Sequence, residues 1–290
     1  MKLPVAICQF PVIGDIDRNA DFIERQMRSA ARRGAAVVAF PESALSGAAG
    51  IQFPSYDRYD WDLLKQRKER IMDLARSLRL WVVLGALHPL SKTKKPHNAA
   101  YVINDRGQIV NRYDKRFCVG TRDGGGEELT WHTSGDHFAV FDIRGVRCGI
   151  AICHDFRYPE LYRQYKKRGV QLMFHIYENA HTKSSMLKRL SEYRNVVPAT
   201  MQTYAAVNHV WVCMVNDSAP QMAHCSAIFR PDGVPAAKLP LNRPGVLVHT
   251  LDTAAKYPDA SEHWRDRAIA GVLHSGKLVN DPRSRDRKSL

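Results

Sequence analysis

Three residues of this chain have the types and settings that acyl-transfer chemistry needs: Cys153, Glu42 and Lys115. Cys153 closes the apolar, β-branched run Val146-Arg-Cys-Gly-Ile-Ala-Ile152 and precedes a polar stretch and then Pro159, where proline suits the first turn of a helix. It therefore falls where a buried strand gives way to a tight connection, with turn amides at hand and a rigid sheet behind. Glu42 follows the continuous apolar run Ala35-Ala-Val-Val-Ala-Phe40, and Lys115 lies just past the second strand of a hairpin. Singly, each has an ordinary explanation: a loop carboxylate, a hairpin-end charge, a core thiol. All three, however, sit at C-terminal strand ends, the edge along which open α/β sheets bind substrates. A cysteine attacks as thiolate, and its unperturbed pKa of about 8.5 leaves it mostly protonated at neutral pH. A carboxylate can take that proton and later hand it to the leaving group. A lysine ammonium favours the thiolate and holds the oxyanion of a tetrahedral intermediate, together with a backbone N–H after the nucleophile. The chemistry is transfer of an amide-like acyl group to sulfur, release of ammonia or an amine, and attack by water.

The elements that must position these residues read as an α/β protein. Residues 5–10 form a central strand, followed by a helix with Asp17 as its cap, apolar positions at Ala20, Ile23, Met27 and Ala30, and Gly34 at its end. Strand 35–40, a helix over 59–78 and strand 81–86 continue the alternation. A hairpin of residues 100–103 and 109–113 around Asn104-Asp-Arg-Gly107 makes part of the sheet antiparallel. A glycine-rich acidic loop spans 121–131, and a second hairpin, 138–143 and 146–152, turns at Arg144-Gly145 and ends on Cys153. A helix from Pro159 to Gly169, strand 170–175, a polar loop over 178–185 and helical segments to residue 208 follow. Strands 210–215, 225–229, 234–239 and 245–251 complete the sheet region. Residues 1–260 read as one domain and 261–290 as a basic extension that could serve subunit contacts.

Composition narrows the class. With 290 residues, 44% hydrophobic and 25% charged, the chain can bury a large core. No apolar run is long enough for a membrane span, and no secretory leader opens it. Six cysteines, most of them inside apolar segments and without zinc-type spacing, fit free thiols in a reducing cytoplasm. The formal charge of +14 is spread over helix faces and loops without aromatic interleaving, which argues against a nucleic-acid surface, the tail 283–288 excepted. No phosphate-binding glycine loop occurs, and His175 and His181 lack a third ligand at metal-site spacing, so no metal is expected.

Phe40-Pro-Glu42, then Asn98-Ala-Ala-Tyr-Val-Ile103 with Gly107 and Tyr113-Asp-Lys115, then Cys148-Gly-Ile-Ala-Ile-Cys153-His-Asp-Phe-Arg157, stand in an order that resembles the carbon-nitrogen hydrolase (nitrilase) superfamily. Asn216 and Ser226-Ala-Ile-Phe-Arg-Pro-Asp-Gly233 resemble two later landmarks of it. The resemblance implies an αββα sandwich with mixed parallel and antiparallel sheets, pairing into a homodimer or higher homo-oligomer. It implies a Glu-Lys-Cys mechanism without cofactor, with Glu42 as general base, Lys115 as oxyanion stabiliser and Cys153 as nucleophile. Many members carry a second glutamate; of Glu127 and Glu128, the interval to Gly135 favours Glu128. His154-Asp155 after the cysteine is closer to amidases and carbamoylases than to nitrile hydrolysers, so a small linear amide or N-carbamoyl substrate is expected. A nitrilase and a non-catalytic basic scaffold associated with nucleic acid are the rival readings. Arg157 either clamps a substrate carboxylate or pairs structurally. The segments 175–179 and 203–208 depart from the family pattern, which makes Tyr177, Glu178 and His181 candidate pocket residues, with His154 contributing its backbone amide.

Overall fold

The computed structural model describes residues 1–91, 93–123, 125–178, 190–220 and 222–288. His181 and most of the polar loop lie outside the described residues. In chain order the elements are β1 (Lys2–Gln9), α1 (Ile16–Arg32), β2 (Val37–Ala39), α2 (Trp61–Leu78), β3 (Trp81–His88), β4 (His97–Ile103) and β5 (Ile109–Asp114). There follow β6 (Val140–Ile143), β7 (Val146–Ile152), α3 (Pro159–Lys167), β8 (Leu172–Ile176), α4 (Leu190–Asn208), β9 (Trp211–Val215), β10 (Ala227–Phe229), β11 (Pro235–Lys238) and β12 (Gly245–Asp252).

These strands make two six-stranded sheets, ordered β12-β1-β2-β3-β4-β5 and β11-β10-β9-β8-β7-β6. Alternate residues of both sheets, such as Val5, Val37, Val83, Ile150, Phe174 and Cys213, meet in one buried cluster between them. The outer face of the first sheet is covered by α1 and α2 through Ile23, Met27, Leu64 and Ile71. That of the second is covered by α3 and α4 through Tyr162, Tyr165, Val197 and Met201. The result is a four-layered αββα sandwich with mixed sheets. The continuous apolar runs at β2, β3, β8 and β9 are explained by it, because each strand is buried on both faces.

Local sequence sets the helix starts. Asp15, and not Asp17, caps α1 by accepting from the Arg18 amide, while Asp17 in the first turn pairs with Arg67 of α2. Both aspartates fit the helix dipole, but only the one whose backbone is still extended can cap. Asp60 does the same for α2 through the Leu63 amide. The helix begun at Pro159 is preceded by a 3-10 turn over Cys153–Arg157. Beyond residue 258, Arg265 docks the start of the extension by pairing with Asp259 and donating to the Val207 carbonyl at 3.1 Å; the short helices α5 (Arg265–Ile269) and α6 (Pro282–Arg285) follow. No helix among the described residues is long and apolar enough to cross a membrane.

Strands β1, β2 and β3 run parallel, as do β7, β8 and β9. Their C-terminal ends therefore present Glu42, Cys153, Glu178 and Asp217 at strand exits, and β5, antiparallel to β4, brings Lys115 out at the same edge as β3.

Candidate active site

The Glu42 turn lies directly on β3. A Cβ on Gly85 would stand 2.1 Å from the Pro41 carbonyl oxygen and 2.8 Å from the Ser43 nitrogen, so only glycine lets the turn approach so closely. The Glu42 amide donates to the Tyr177 carbonyl across the sandwich at 3.2 Å. The carboxylate, 3% exposed, accepts from Asn98 Nδ2 (2.7 Å) and Lys115 Nζ (2.9 Å) on Oε1 and from the Glu178 amide (2.9 Å) on Oε2.

Lys115 is fully buried and donates to Glu42 and, at 2.5 Å, to Glu128 Oε1. Glu128 is held in turn by the Val119 amide at 2.8 Å. The neighbouring Glu127 is exposed, so it is Glu128 that reaches the lysine. Burial pulls the Lys115 ammonium down, but Glu128 and Glu42 together outweigh it and hold it firmly charged. Burial raises Glu42, and the charge of Glu128 raises it further against the pull of Lys115. Glu128 is raised by burial too, but Lys115 and the Val119 amide win and keep it ionised. The environment thus separates two carboxylates on one lysine: one is poised to carry a proton, the other stays an anion.

Cys153 sits at the exit of β7 with φ of 43°, the left-handed region that a β-carbon disfavours by about 1–2 kcal/mol. This strained turn aims its thiol at the Glu42 carboxylate, to which it donates. Burial, reinforced by Glu42, holds the thiol far above its ordinary pKa, so it keeps its proton at rest.

Two buried side chains brace this turn. Asp155 accepts from the Ile152 amide (2.9 Å), the Phe117 amide (3.0 Å) and the Tyr113 hydroxyl (2.8 Å), tying the cysteine elbow to both sides of Lys115. Burial pushes its pKa up to about 6. His175 lies 3.1 Å through Nε2 from the Cys153 carbonyl oxygen and 2.8 Å through Nδ1 from the Tyr162 hydroxyl. A carbonyl only accepts, so Nε2 carries the proton; burial, which lowers its pKa to about 3, keeps the ring neutral.

The remaining candidates separate. Glu178 is buried beside Glu42, its carboxyl accepting from Gln52 Nε2 at 2.8 Å. Tyr177 is fully buried; its ring stacks on His175 with centroids 4.4 Å apart and its hydroxyl points to the Met201 sulfur at 3.2 Å, so it meets the site through its backbone. His154 is half-exposed in the turn after Cys153. Arg157 is exposed, its guanidinium over the rings of Phe156 (4.8 Å) and Tyr193 (5.6 Å). Asn98 and Asp155 were visible only as letters within the motifs; nothing in the sequence pattern marked their side chains as the supports of Glu42 and of the elbow.

Charge separation on the shared lysine gives a test. Because Glu128 raises Glu42, Glu128→Gln should lower the Glu42 pKa and move the acid limb of kcat/KM to lower pH. A pH–rate profile checks this; an acid limb that stays put or moves up contradicts the assignment.

A half-buried cysteine beside a buried glutamate and lysine, all at strand exits of an αββα sandwich, makes a candidate site for cysteine-dependent hydrolysis. The chain matches the carbon-nitrogen hydrolase family over residues 4–258, and it belongs to that family. It is similar to an omega-amidase of Xenopus tropicalis, 26% identical over 59% of this chain and 62% of that protein. It is likewise similar to nitrilase homolog 2 of Dictyostelium discoideum, 27% identical over 55% of this chain and 49% of that protein. The match thus spans about half to three fifths of the length of these curated relatives. An amidase from Nesterenkonia sp. shares the fold at a TM-score of 0.73 and 21% identity, over 93% of this chain and 96% of the other.

Proposed function

We propose that this protein is a cysteine-dependent amidohydrolase that cleaves a non-peptide C–N bond in a small linear amide or N-carbamoyl compound through a thioester. The observation that carries this reading is the single hydrogen-bonded cluster in which Lys115 joins Glu42 and Glu128 beside the Cys153 thiol. The Cys153 proton passes to Glu42 as sulfur attacks the substrate carbonyl carbon. The oxyanion is met by the Lys115 ammonium and the backbone N–H of His154, and the burial of Lys115 strengthens its hold. Glu42 then returns its proton to the leaving nitrogen, the C–N bond breaks, and ammonia or an amine departs. The carboxylate left on Glu42 takes a proton from water, hydroxide adds to the thioester, and the acid leaves with Cys153 restored as a thiol.

The amidases among its relatives, and a Nesterenkonia amidase described with an acetamide moiety covalently added at its active-site cysteine, support this reading. The test is ammonia release across short amides, ureido acids and nitriles. Turnover of amides or ureido acids without turnover of nitriles is expected; acid formed from nitriles but not from the matching amides would replace this reading with a nitrilase.

A further inference from the structure

Glu178 and Asp217 occupy matching places just past the ends of neighbouring parallel strands, where the Tyr177 amide still donates to the Val215 carbonyl at 2.7 Å. Ile176 of β8 pairs with Val215 of β9, both facing the sandwich interior, and two residues further on each strand line stand Glu178 and Asp217. Side chains two apart share a face and parallel neighbours lie about 4.8 Å apart, so the two carboxyl groups continue the interior row side by side. Both are more than nine-tenths buried: Glu178 is 7% and Asp217 1% exposed. The Glu178 amide reaches the Glu42 carboxylate at 2.9 Å, which places this pair against the reacting groups.

Two adjacent buried carboxylates must be neutralised or compensated. Glu178 accepts from Gln52 Nε2 at 2.8 Å, and Asp217 Oδ1 accepts from the Ala219 amide at 3.1 Å. The Val12 amide also approaches the Asp217 carboxyl, but its buried Oδ2 has no well-formed hydrogen bond among the described residues, and neither has the adjacent Ser218 hydroxyl. Lys115 is already held by Glu42 and Glu128. Burial comes first in raising both carboxyls, and each also feels a neighbouring acid, Asp217 for Glu178 and Glu42 for Asp217. No group of three or more metal-type side chains stands among the described residues, and two carboxylates alone make a poor cage for a hard divalent ion. An ammonium with several N–H donors suits two acceptors and a hydroxyl better.

Resting on the amidohydrolase reading, we infer that Glu178 and Asp217 form the subsite for a cationic group of the substrate, so that the amide cleaved at Cys153 carries an ammonium at its far end. Glu178 lies in the segment 175–179, which departs from the sequence the family often shows there.

The test is calorimetric binding to the Cys153→Ala protein of short ω-ammonioalkanamides and of the same chains ending in methyl. The ammonium series should bind at least about tenfold more tightly, with Asp217→Asn and, separately, Glu178→Gln erasing that preference while leaving the methyl series within about twofold. Equal or tighter binding of the methyl series, or a preference that survives both substitutions, overturns the subsite. Since no nucleophile is present in this measurement, its outcome is separate from whether intact Cys153 hydrolyses amides.

Discussion

Lys115→Met should both unfold the protein more easily and remove its activity. The methionine fills the lysine's volume but leaves Glu42 and Glu128 buried with no cation between them. Breaking a buried pair by removing one partner costs about 3–5 kcal/mol, because the remaining charge stays uncompensated. Two carboxylates facing each other put the cost at the upper end near neutral pH. The cost should shrink as pH falls, since each carboxyl without Lys115 has its folded pKa raised above its unfolded value and binds a proton on folding. Stability of the variant relative to the parent should therefore recover below about pH 5 and be worst above it. Urea unfolding at several pH values measures this. A variant as stable as the parent at neutral pH would mean that the lysine does not carry the charge balance described. If Lys115 holds the oxyanion as proposed, activity should fall by about 10²–10³-fold from loss of that donor alone.

Cys153→Ala should lose hydrolysis by a factor on the order of 10⁶, the scale seen when a covalent nucleophile is removed, with the fold retained. The turn offers a second, independent consequence. Its left-handed φ of 43° strains any residue with a β-carbon, so Cys153→Gly should be about 1 kcal/mol more stable than Cys153→Ala although neither has a thiol. Kinetics with ammonia detection and parallel thermal melts check both parts. Residual hydrolysis near the parent rate in the alanine variant would place the nucleophile elsewhere, and equal melts for Ala and Gly would mean that the elbow is not strained.

Much of this arrangement was legible in the letters. Apolar runs ending in Glu42 and Cys153 encode strands buried on both faces, and their C-terminal ends are an address that parallel topology enforces. What was not legible depends on register and on the far side of the sandwich. Counted back from the Asn104–Gly107 turn, Ile103 faces Ile109, and an unbroken ladder would set Lys115 opposite His97. A bulge between Val102 and Ile103 shifts the pairing by one, so that the Lys115 amide donates to the Asn98 carbonyl and the Asn98 side chain falls on Glu42. No sequence pattern fixes such a bulge in advance. Likewise Asp155, read as a marker of the amidase branch, is a buried acceptor of three hydrogen bonds whose donors lie in β5, the loop after it and β7. His175, remote in sequence, holds the carbonyl of the cysteine turn. Glu178 was visible only as a departure from pattern; the register of β8 against β9 supplied its partner.

The central claim, that Cys153 alone among the six thiols is activated as a nucleophile, is tested most directly by a limiting amount of fluoroacetamide followed by peptide mass mapping. Cys118 and Cys225 are the fair competitors, being half-buried like Cys153, whereas Cys8, Cys148 and Cys213 are buried. Attack of Cys153 sulfur on the CH2 carbon with loss of fluoride should place the acetamide group on Cys153 before any other cysteine is modified. Label shared evenly with Cys118 or Cys225 would contradict the account.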